Sequence, residues 1–260
     1  MDIDVANART LLFVPGHRPD RFTRAAASGA DAVVLDLEDA VGAGSKAQAR
    51  AHVRSWLHQG NRALVRINAP ETPWYEADCE LIREFGCPVM LPKAEDPSHV
   101  DGLPAVVPLL ETALGIEHAV AVCSMPGVIR PAFGSVDLAA QLGIDHRSHE
   151  ALRYARSSIV LAAAAAGCAA PIDGVTTALH DEATLRADLD EAVTIGYTGK
   201  LCIHPDQVGI ANLRLRPTDS EIEWARSVLT DATNDSVTVS DGEMVDRPVL
   251  LRARAILARA

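Results

Sequence analysis

One short apolar run after another in this chain ends in a charged residue, and that recurrence constrains the fold more than any other feature. AVVLDLED ends in Asp36, Glu38 and Asp39, ALVRIN carries Arg66, VMLPKAE carries Lys93 and Glu95, AVVPLLET carries Glu111, and AFGSVDL carries Asp137. A continuous apolar run is what a parallel strand buried on both faces requires. The loop after such a strand is where α/β barrels carry their chemistry. The pattern therefore places several charged groups on one rim.

Eight runs can be laid out as strands: Thr10–Val14, Ala32–Leu37, Ala63–Ile67, Val89–Leu91, Ala105–Leu110, Ile129–Phe133, Ile172–Val175 and Lys200–Ile203. Helical patterns separate most of them. Pro19 opens the first and Gly29 closes it, since a missing N–H is tolerated at a helix start and a left-handed residue is favoured past its end. Ser45 with Gln48 reads as a capping box for the second helix, which Gly60 stops. Leu152, Ala155, Ile159 and Ala162 share one face of a helix over 150–166, and Leu185, Leu189 and Ala192 do so later. The chain has 260 residues, and one α/β barrel needs roughly 250. Length and alternation together predict a (β/α)8 TIM barrel over 1–216, although an open doubly wound sheet produces much the same alternation.

After Pro217 the pattern changes. Ser220 and Glu223 read as another capping box, Ile222, Ala225 and Leu229 continue a helix, polar residues 231–235 lead into the alternating SVTVSDGEMV, and a last helix starts near Asp246. A tail over 217–260 is too small to fold alone. It is expected to lie as a lid on the barrel or on a neighbouring subunit.

Composition excludes several roles. A net charge of −11 opposes nucleic-acid binding, which needs clustered Lys and Arg. The five cysteines show no zinc-ligand spacing and read as free thiols of a reducing compartment. MDIDVANART lacks the basic and apolar parts of a secretory signal, and the small-apolar stretch from Ile159 to Ala170 is shorter than the roughly 20 residues that cross a bilayer. Neither export nor membrane insertion is expected, and the cytoplasm is the natural assignment.

Glu111 and Asp137 would end the fifth and sixth strands, which are neighbours in a barrel. Two carboxylates without nearby His or Cys suit Mg²⁺, which prefers oxygen and leaves positions for water and substrate. Either acid alone is explained as well by a helix cap or a surface ion pair, and Glu38 and Asp39 share that ambiguity. Arg66, flanked by apolar residues, is expected to point into the barrel mouth, where its planar fork suits a carboxylate or an enolate oxygen. A structural bridge to Asp36 or Glu38 is the competing role. Lys93 reads the same two ways, with a Schiff-base role also open. His204 reads equally as a buried hydrogen-bonding residue or a catalytic one. No Gly-rich phosphate fingerprint and no Ser–His–Asp arrangement is present.

Taken in order, LFVPGHRPDRF, DAVVLDLEDAV, VRIN, MLPKAE, LLETALG, FGSVDLAAQLG, GKLCIHPDQ and GEMVDRPVL resemble the citrate lyase β-subunit-like branch of the HpcH/HpaI aldolase superfamily. The resemblance spans nearly the whole chain. It implies a barrel with a C-terminal lid, a homotrimer, Mg²⁺, and making or breaking of a carbon–carbon bond in a 3-hydroxyacyl thioester. By the same resemblance Glu111 and Asp137 are expected to ligate Mg²⁺, and Arg66 to stand beside the carbonyl or enolate oxygen. Asp246 corresponds to a lid aspartate that enters a neighbour's site. Arg18 and Lys93 would hold the acyl-CoA or order the rim, and Glu38 and Asp39 would surround metal-bound water and Arg66. A citrate lyase β subunit working on an acyl-carrier-protein thioester, a CoA-independent class II aldolase and a noncatalytic metabolite-binding barrel are the alternatives.

Overall fold

The computed structural model describes residues 3–231, 238–240 and 243–260. Eight strands, β1 (Thr10–Pro15), β2 (Ala32–Asp36), β3 (Leu64–Arg66), β4 (Val89–Leu91), β5 (Val106–Leu110), β6 (Ala132–Phe133), β7 (Ile172–Asp173) and β8 (Gly199–Cys202), pair in sequence order. All these pairings are parallel. Closure comes from β8 returning to β1 through Thr10↔Lys200, Leu11↔Leu201 and Leu12↔Cys202. That ladder decides for the barrel and against the open sheet. The connecting helices are α1 (Phe22–Ala26), α2 (Lys46–His58), α3 (Tyr75–Phe85), α4 (Ala113–Glu117), α5 (Ala119–Cys123), α6 (Ser135–Leu142), α7 (His149–Ala166), α8 (Glu182–Ile195) and α9 (Pro205–Leu215).

Alternation along each strand sorts side chains into two layers. Leu11, Val34, Leu64, Leu109, Ala132 and Leu201 belong to one buried cluster with Met90, Val107 and Ile172. Two residues further along the chain, in the same phase, come Phe13, Asp36, Arg66, Glu111, Gly134 and Ile203. The polar members of that second set thus emerge at the C-terminal mouth. The opposite phase places Asp173 and Lys200 against the helix layer, where Lys200 Nζ is 2.7 Å from Asp173 Oδ2 and Arg156 Nη1 of α7 is 2.8 Å from Asp173 Oδ1. All three are at least nine-tenths buried. At the other end of the barrel the buried Arg130 guanidinium donates to the carbonyls of Ala6, Ala8 and Pro171.

The helix faces follow the sequence periodicity: Leu152, Ala155, Ile159 and Ala162 of α7 and Leu185, Leu189 and Ala192 of α8 are buried. Two expected caps are different. Ser45 makes no side-chain cap at α2, because its backbone is already helical (φ −108°, ψ −1°) after a 3-10 turn, whereas a capping hydroxyl needs an extended backbone to reach back. The later capping box is Thr218 with Glu221, not Ser220 with Glu223: Thr218 N donates to Glu221 Oε2 at 2.8 Å and Glu221 N to Thr218 Oγ1 at 3.2 Å. The run 129–133 is a strand only over Ala132–Phe133, although Ile129 N also donates to Val106 O of β5 at 2.9 Å. Pro131 has no N–H to give.

Leu213–Ala260 forms a compact unit distinct from Met1–Asn212. Its helices α10 (Asp219–Asp231) and α11 (Arg247–Leu257) enclose a small core of Ile222, Ala225, Val228, Val245, Leu250, Ala253 and Ile256. Strands β9 (Thr238–Ser240) and β10 (Glu243–Val245) form an antiparallel pair. Most of the polar 231–235 segment lies outside the described residues. No helix among the described residues is long and apolar enough to cross a membrane. The five cysteines are free thiols.

Candidate active site

The barrel mouth opens on a cavity of about 250 Å³ lined by Phe13, Asp36, Asp39, Arg66, Glu111, Gly134, Asp137 and Ile203, among others. Asp36 and Arg66 are register partners on β2 and β3. Their side chains meet as a two-pronged pair, Nε to Oδ1 and Nη2 to Oδ2, both at 2.7 Å. Asp36 also accepts the backbone N–H groups of Glu38 and Ala40 at 2.8 and 3.1 Å, so its four contacts fix the arginine plane. The Phe13 ring lies 4.8 Å from the guanidinium carbon. Arg66 Nη1 remains, 2.9 Å from Glu38 Oε2 and 3.8 Å from Asp39 Oδ2. Sequence reasoning set a structural bridge against a place in the mouth; the structure gives Arg66 both.

Glu38 is a buried hinge between two cations. Its Oε1 accepts from Lys93 Nζ at 3.0 Å, while Oε2 faces Arg66 without a hydrogen bond. Burial raises the Glu38 carboxyl above the usual carboxylate range, with Asp39 adding to the rise and Arg66 and Lys93 opposing it. Burial likewise works against the Lys93 charge, but attraction to Glu38 and Glu111 prevails and the ammonium is held above its ordinary range. A lysine kept protonated in this way is a poor Schiff-base nucleophile. Lys93 is also the one non-glycine residue with positive φ (48°) among the described residues, a conformation that turns its N–H onto Glu111 Oε1 at 2.9 Å.

Glu111 follows β5 and is 2 % exposed. Burial drives its carboxyl well above the usual range, and the charges of Glu38 and Asp137 push in the same direction. Its neighbour across the ladder explains how it fits: a Cβ on Gly134 would lie 2.3 Å from Glu111 Cβ and 2.6 Å from Oε2. Asp137, half-buried in the first turn of α6, completes the group. Among the described residues no side-chain cation forms a hydrogen bond or salt bridge with Glu111 or Asp137.

Asp36, Glu38, Asp39, Arg66, Lys93, Glu111 and Asp137 are thus brought together, while the contacts of the two other expected site residues are local. Arg18 forks onto its near neighbour Asp20 at 2.9 and 2.7 Å. Asp246 caps α11 by accepting Val249 N at 3.3 Å. Three contributors were not singled out in the sequence. Phe13 and Gly134 carried a signal, since each continues the inward phase of its strand. Lys46 carried none: after Gly-Ala-Gly-Ser it reads as a solvated lysine, yet it is buried and donates to the carbonyls of Leu37 and Glu38 at 2.7 and 2.8 Å, anchoring the loop that holds the acids.

A closed parallel barrel with buried carboxylates and an arginine gathered where its strands end defines a (β/α)8-barrel enzyme. The chain belongs to the HpcH/HpaI aldolase/citrate lyase family, whose sequence pattern matches residues 9–108 and 102–205. It is 35% identical to a citrate lyase subunit beta-like protein of Deinococcus radiodurans over 99% of each chain. It is 32% identical to a (3S)-malyl-CoA thioesterase of Cereibacter sphaeroides, over 97% of this chain and 94% of that one. Among solved structures, CitE of Mycobacterium tuberculosis in complex with magnesium, acetoacetate and coenzyme A superposes with a TM-score of 0.84 at 34% identity, covering 98% of this chain and 99% of that one.

Proposed function

We propose that this chain is a Mg²⁺-dependent carbon–carbon lyase acting on a 3-hydroxyacyl-CoA thioester of the malyl-, citramalyl- or citryl-CoA type, giving a 2-oxoacid or glyoxylate and an acyl-CoA. The observation that carries this reading is the pair of acids with no cation of their own. Arg66 is committed to Asp36, Lys93 Nζ to Glu38 and Lys46 to two main-chain carbonyls, so Glu111 and Asp137 line the cavity without a hydrogen bond or salt bridge to a cationic side chain among the described residues. Two hard oxygen donors with open positions beside them fit Mg²⁺. The relative from M. tuberculosis was crystallised with magnesium, acetoacetate and coenzyme A, which supports the assignment. Glu111 and Asp137 would hold Mg²⁺, which would supply Lewis acidity to the reacting oxygens of the substrate.

The residues then divide the work. Cleavage removes the proton of the 3-hydroxyl group, the carbon–carbon bond breaks, a carbonyl forms on the departing 2-oxoacid or glyoxylate, and the electron pair passes to the acyl-CoA as an enolate that is protonated in turn. Arg66 shares the charge developing on the enolate oxygen, and because Asp36 already fixes its plane, little reorganisation is needed at that moment. Glu38 and Asp39 keep the free edge of Arg66 directed at the mouth. Asp246, supplied by a neighbouring subunit of a homotrimer through a lid over 217–260, handles the proton. Arg18 and Lys93 are the proposed cationic contacts to the acyl-CoA.

The thioesterase relative favours a second reading, hydrolysis of the thioester to a hydroxyacid and free CoA in the same cavity. A Mg²⁺-supplemented screen of malyl-, citramalyl-, methylmalyl- and citryl-CoA, with products identified by mass, separates the two. A 2-oxoacid or glyoxylate with an acyl-CoA supports the lyase; a hydroxyacid with free CoA overturns it in favour of the thioesterase. Turnover of an acyl-carrier-protein thioester alone would identify a citrate lyase β subunit.

A further inference from the structure

Two histidines and an aspartate converge on the same end of the barrel, apart from the carboxylates of the mouth. His180 lies on the loop between β7 and α8; His204 follows β8, and Asp206 stands in the first turn of α9. Asp206 Oδ2 is 3.3 Å from His204 Nδ1 and 3.7 Å from His180 Nδ1. One ligand atom from each of the three lies within 4.8 Å of the other two. The two rings meet edge to face with centroids 5.1 Å apart.

Packing does not require this arrangement. The side chains of His180 and Asp206 are 73% and 69% exposed, so nothing buried forces them together. A helix-start acid answering nearby imidazoles explains Asp206 beside one ring. It does not explain two rings directing nitrogens at a single oxygen. The one hydrogen bond within the group is long, from Asp206 N to His204 Nδ1 at 3.3 Å, and an ion bound at that nitrogen would take its place.

We propose that His180, His204 and Asp206 form a second metal site that takes one borderline first-row ion of the Zn²⁺ type. Two imidazoles and one carboxylate select such ions, whereas Mg²⁺ prefers all-oxygen shells. A tetrahedral Zn²⁺ with bonds near 2.0–2.1 Å holds its ligand atoms roughly 3.3 Å apart. The spacings of 3.3 and 3.7 Å already approach that value, and exposed side chains on two loops can supply the remaining shift. The fourth position is left for water or an external ligand. Ile203, the residue before His204, lines the catalytic cavity, so occupation would tie the loop after β7 to the start of α9 at the edge of that cavity.

The test uses the full chain with Mg²⁺ in excess, so that the oxygen site does not compete. Co²⁺ should develop visible absorption that Zn²⁺ bleaches, and equilibrium dialysis with Zn²⁺ should retain one equivalent per chain. His180→Ala, at an exposed loop position, and His204→Ala should each weaken Zn²⁺ binding by at least ~100-fold, the upper end for losing even an outer partner of a metal ligand. Glu111→Gln should leave the Zn²⁺ equivalent in place. Wild-type Zn²⁺ affinity in both histidine variants, loss of the equivalent in Glu111→Gln, or no Zn²⁺ retained by the wild type would each overturn the site. Because turnover is not the readout, none of these results bears on the lyase reading.

Discussion

Replacing Gly134 with alanine should disable Glu111 without altering it. An alanine Cβ there would stand 2.3 Å from Glu111 Cβ and 2.6 Å from Oε2, whereas nonbonded carbons settle about 3.5–4.0 Å apart. The backbone is no obstacle, since φ −100° suits any residue. Either the Glu111 side chain or the start of α6, which carries Asp137, must therefore retreat by more than about 1 Å, and overpacking of this kind costs about 1–3 kcal/mol. For a chain of this size that is a fall in Tm of roughly 2–4 °C per kcal/mol. A displacement of about 1 Å in a catalytic group costs about 100-fold in rate. Both proposed Mg²⁺ ligands are disturbed together, so Mg²⁺ affinity should fall by about tenfold or more, as it does when the outer support of a metal ligand is lost. Gly143→Ala at the far end of α6 is the control. Its φ of +68° strains any side chain while nothing lies within 4 Å, so Tm should drop by a comparable amount with Mg²⁺ affinity and kcat/KM unchanged. Calorimetric Mg²⁺ titration, melting and steady-state kinetics on the two variants read all three quantities. If Gly134→Ala melts as Gly143→Ala does yet keeps wild-type Mg²⁺ affinity and turnover, the metal role of Glu111 is refuted.

Three further outcomes follow from the same geometry. Arg66→Lys retains the charge but loses the two 2.7 Å prongs onto Asp36, and kcat should fall by about 10²–10³; a loss of stability with near-normal turnover would show that the arginine only braces the rim. Asp173→Ala leaves Lys200 and Arg156 buried without their shared partner, so denaturant unfolding should show a loss of about 3–5 kcal/mol, while Mg²⁺ affinity stays at the wild-type value because Asp173 faces the helix layer; a change under 1 kcal/mol would refute the structural assignment. Asp246→Ala and Arg66→Ala should each be nearly inactive alone, with activity recovered in mixed oligomers that combine an intact barrel with an intact lid. Subunit exchange seen by mass spectrometry without recovered activity would count against the lid acting between subunits, and an active Asp246→Ala enzyme would leave only the helix cap observed at Val249 N.

The apolar runs by themselves determined the number and order of the strands and, through alternation, which polar residues reach the mouth. Asp36, Arg66 and Glu111 are all one phase step beyond core residues, and that step is a property of the extended chain, legible without any tertiary contact. Closure was predicted from length and alternation together, but the local pattern alone could not decide it, because an open sheet and a barrel share that pattern and differ in a single ladder between the first and last strands. Caps were misread where local backbone conformation chose between candidates: the hydroxyl of Ser45 was in the right place in the sequence but on a backbone already turned helical. The relation between Arg66 and Asp36, the burial of Lys46 and the Asp173–Lys200–Arg156 cluster were decided by the fold alone. Each depends on residues far apart in the chain meeting at low dielectric, where an ion pair or an unpartnered carboxylate is costly or valuable only because water has been excluded. A sequence records which charges are available; the tertiary structure decides which of them pair, and leaves Glu111 and Asp137 without a salt bridge among the described residues.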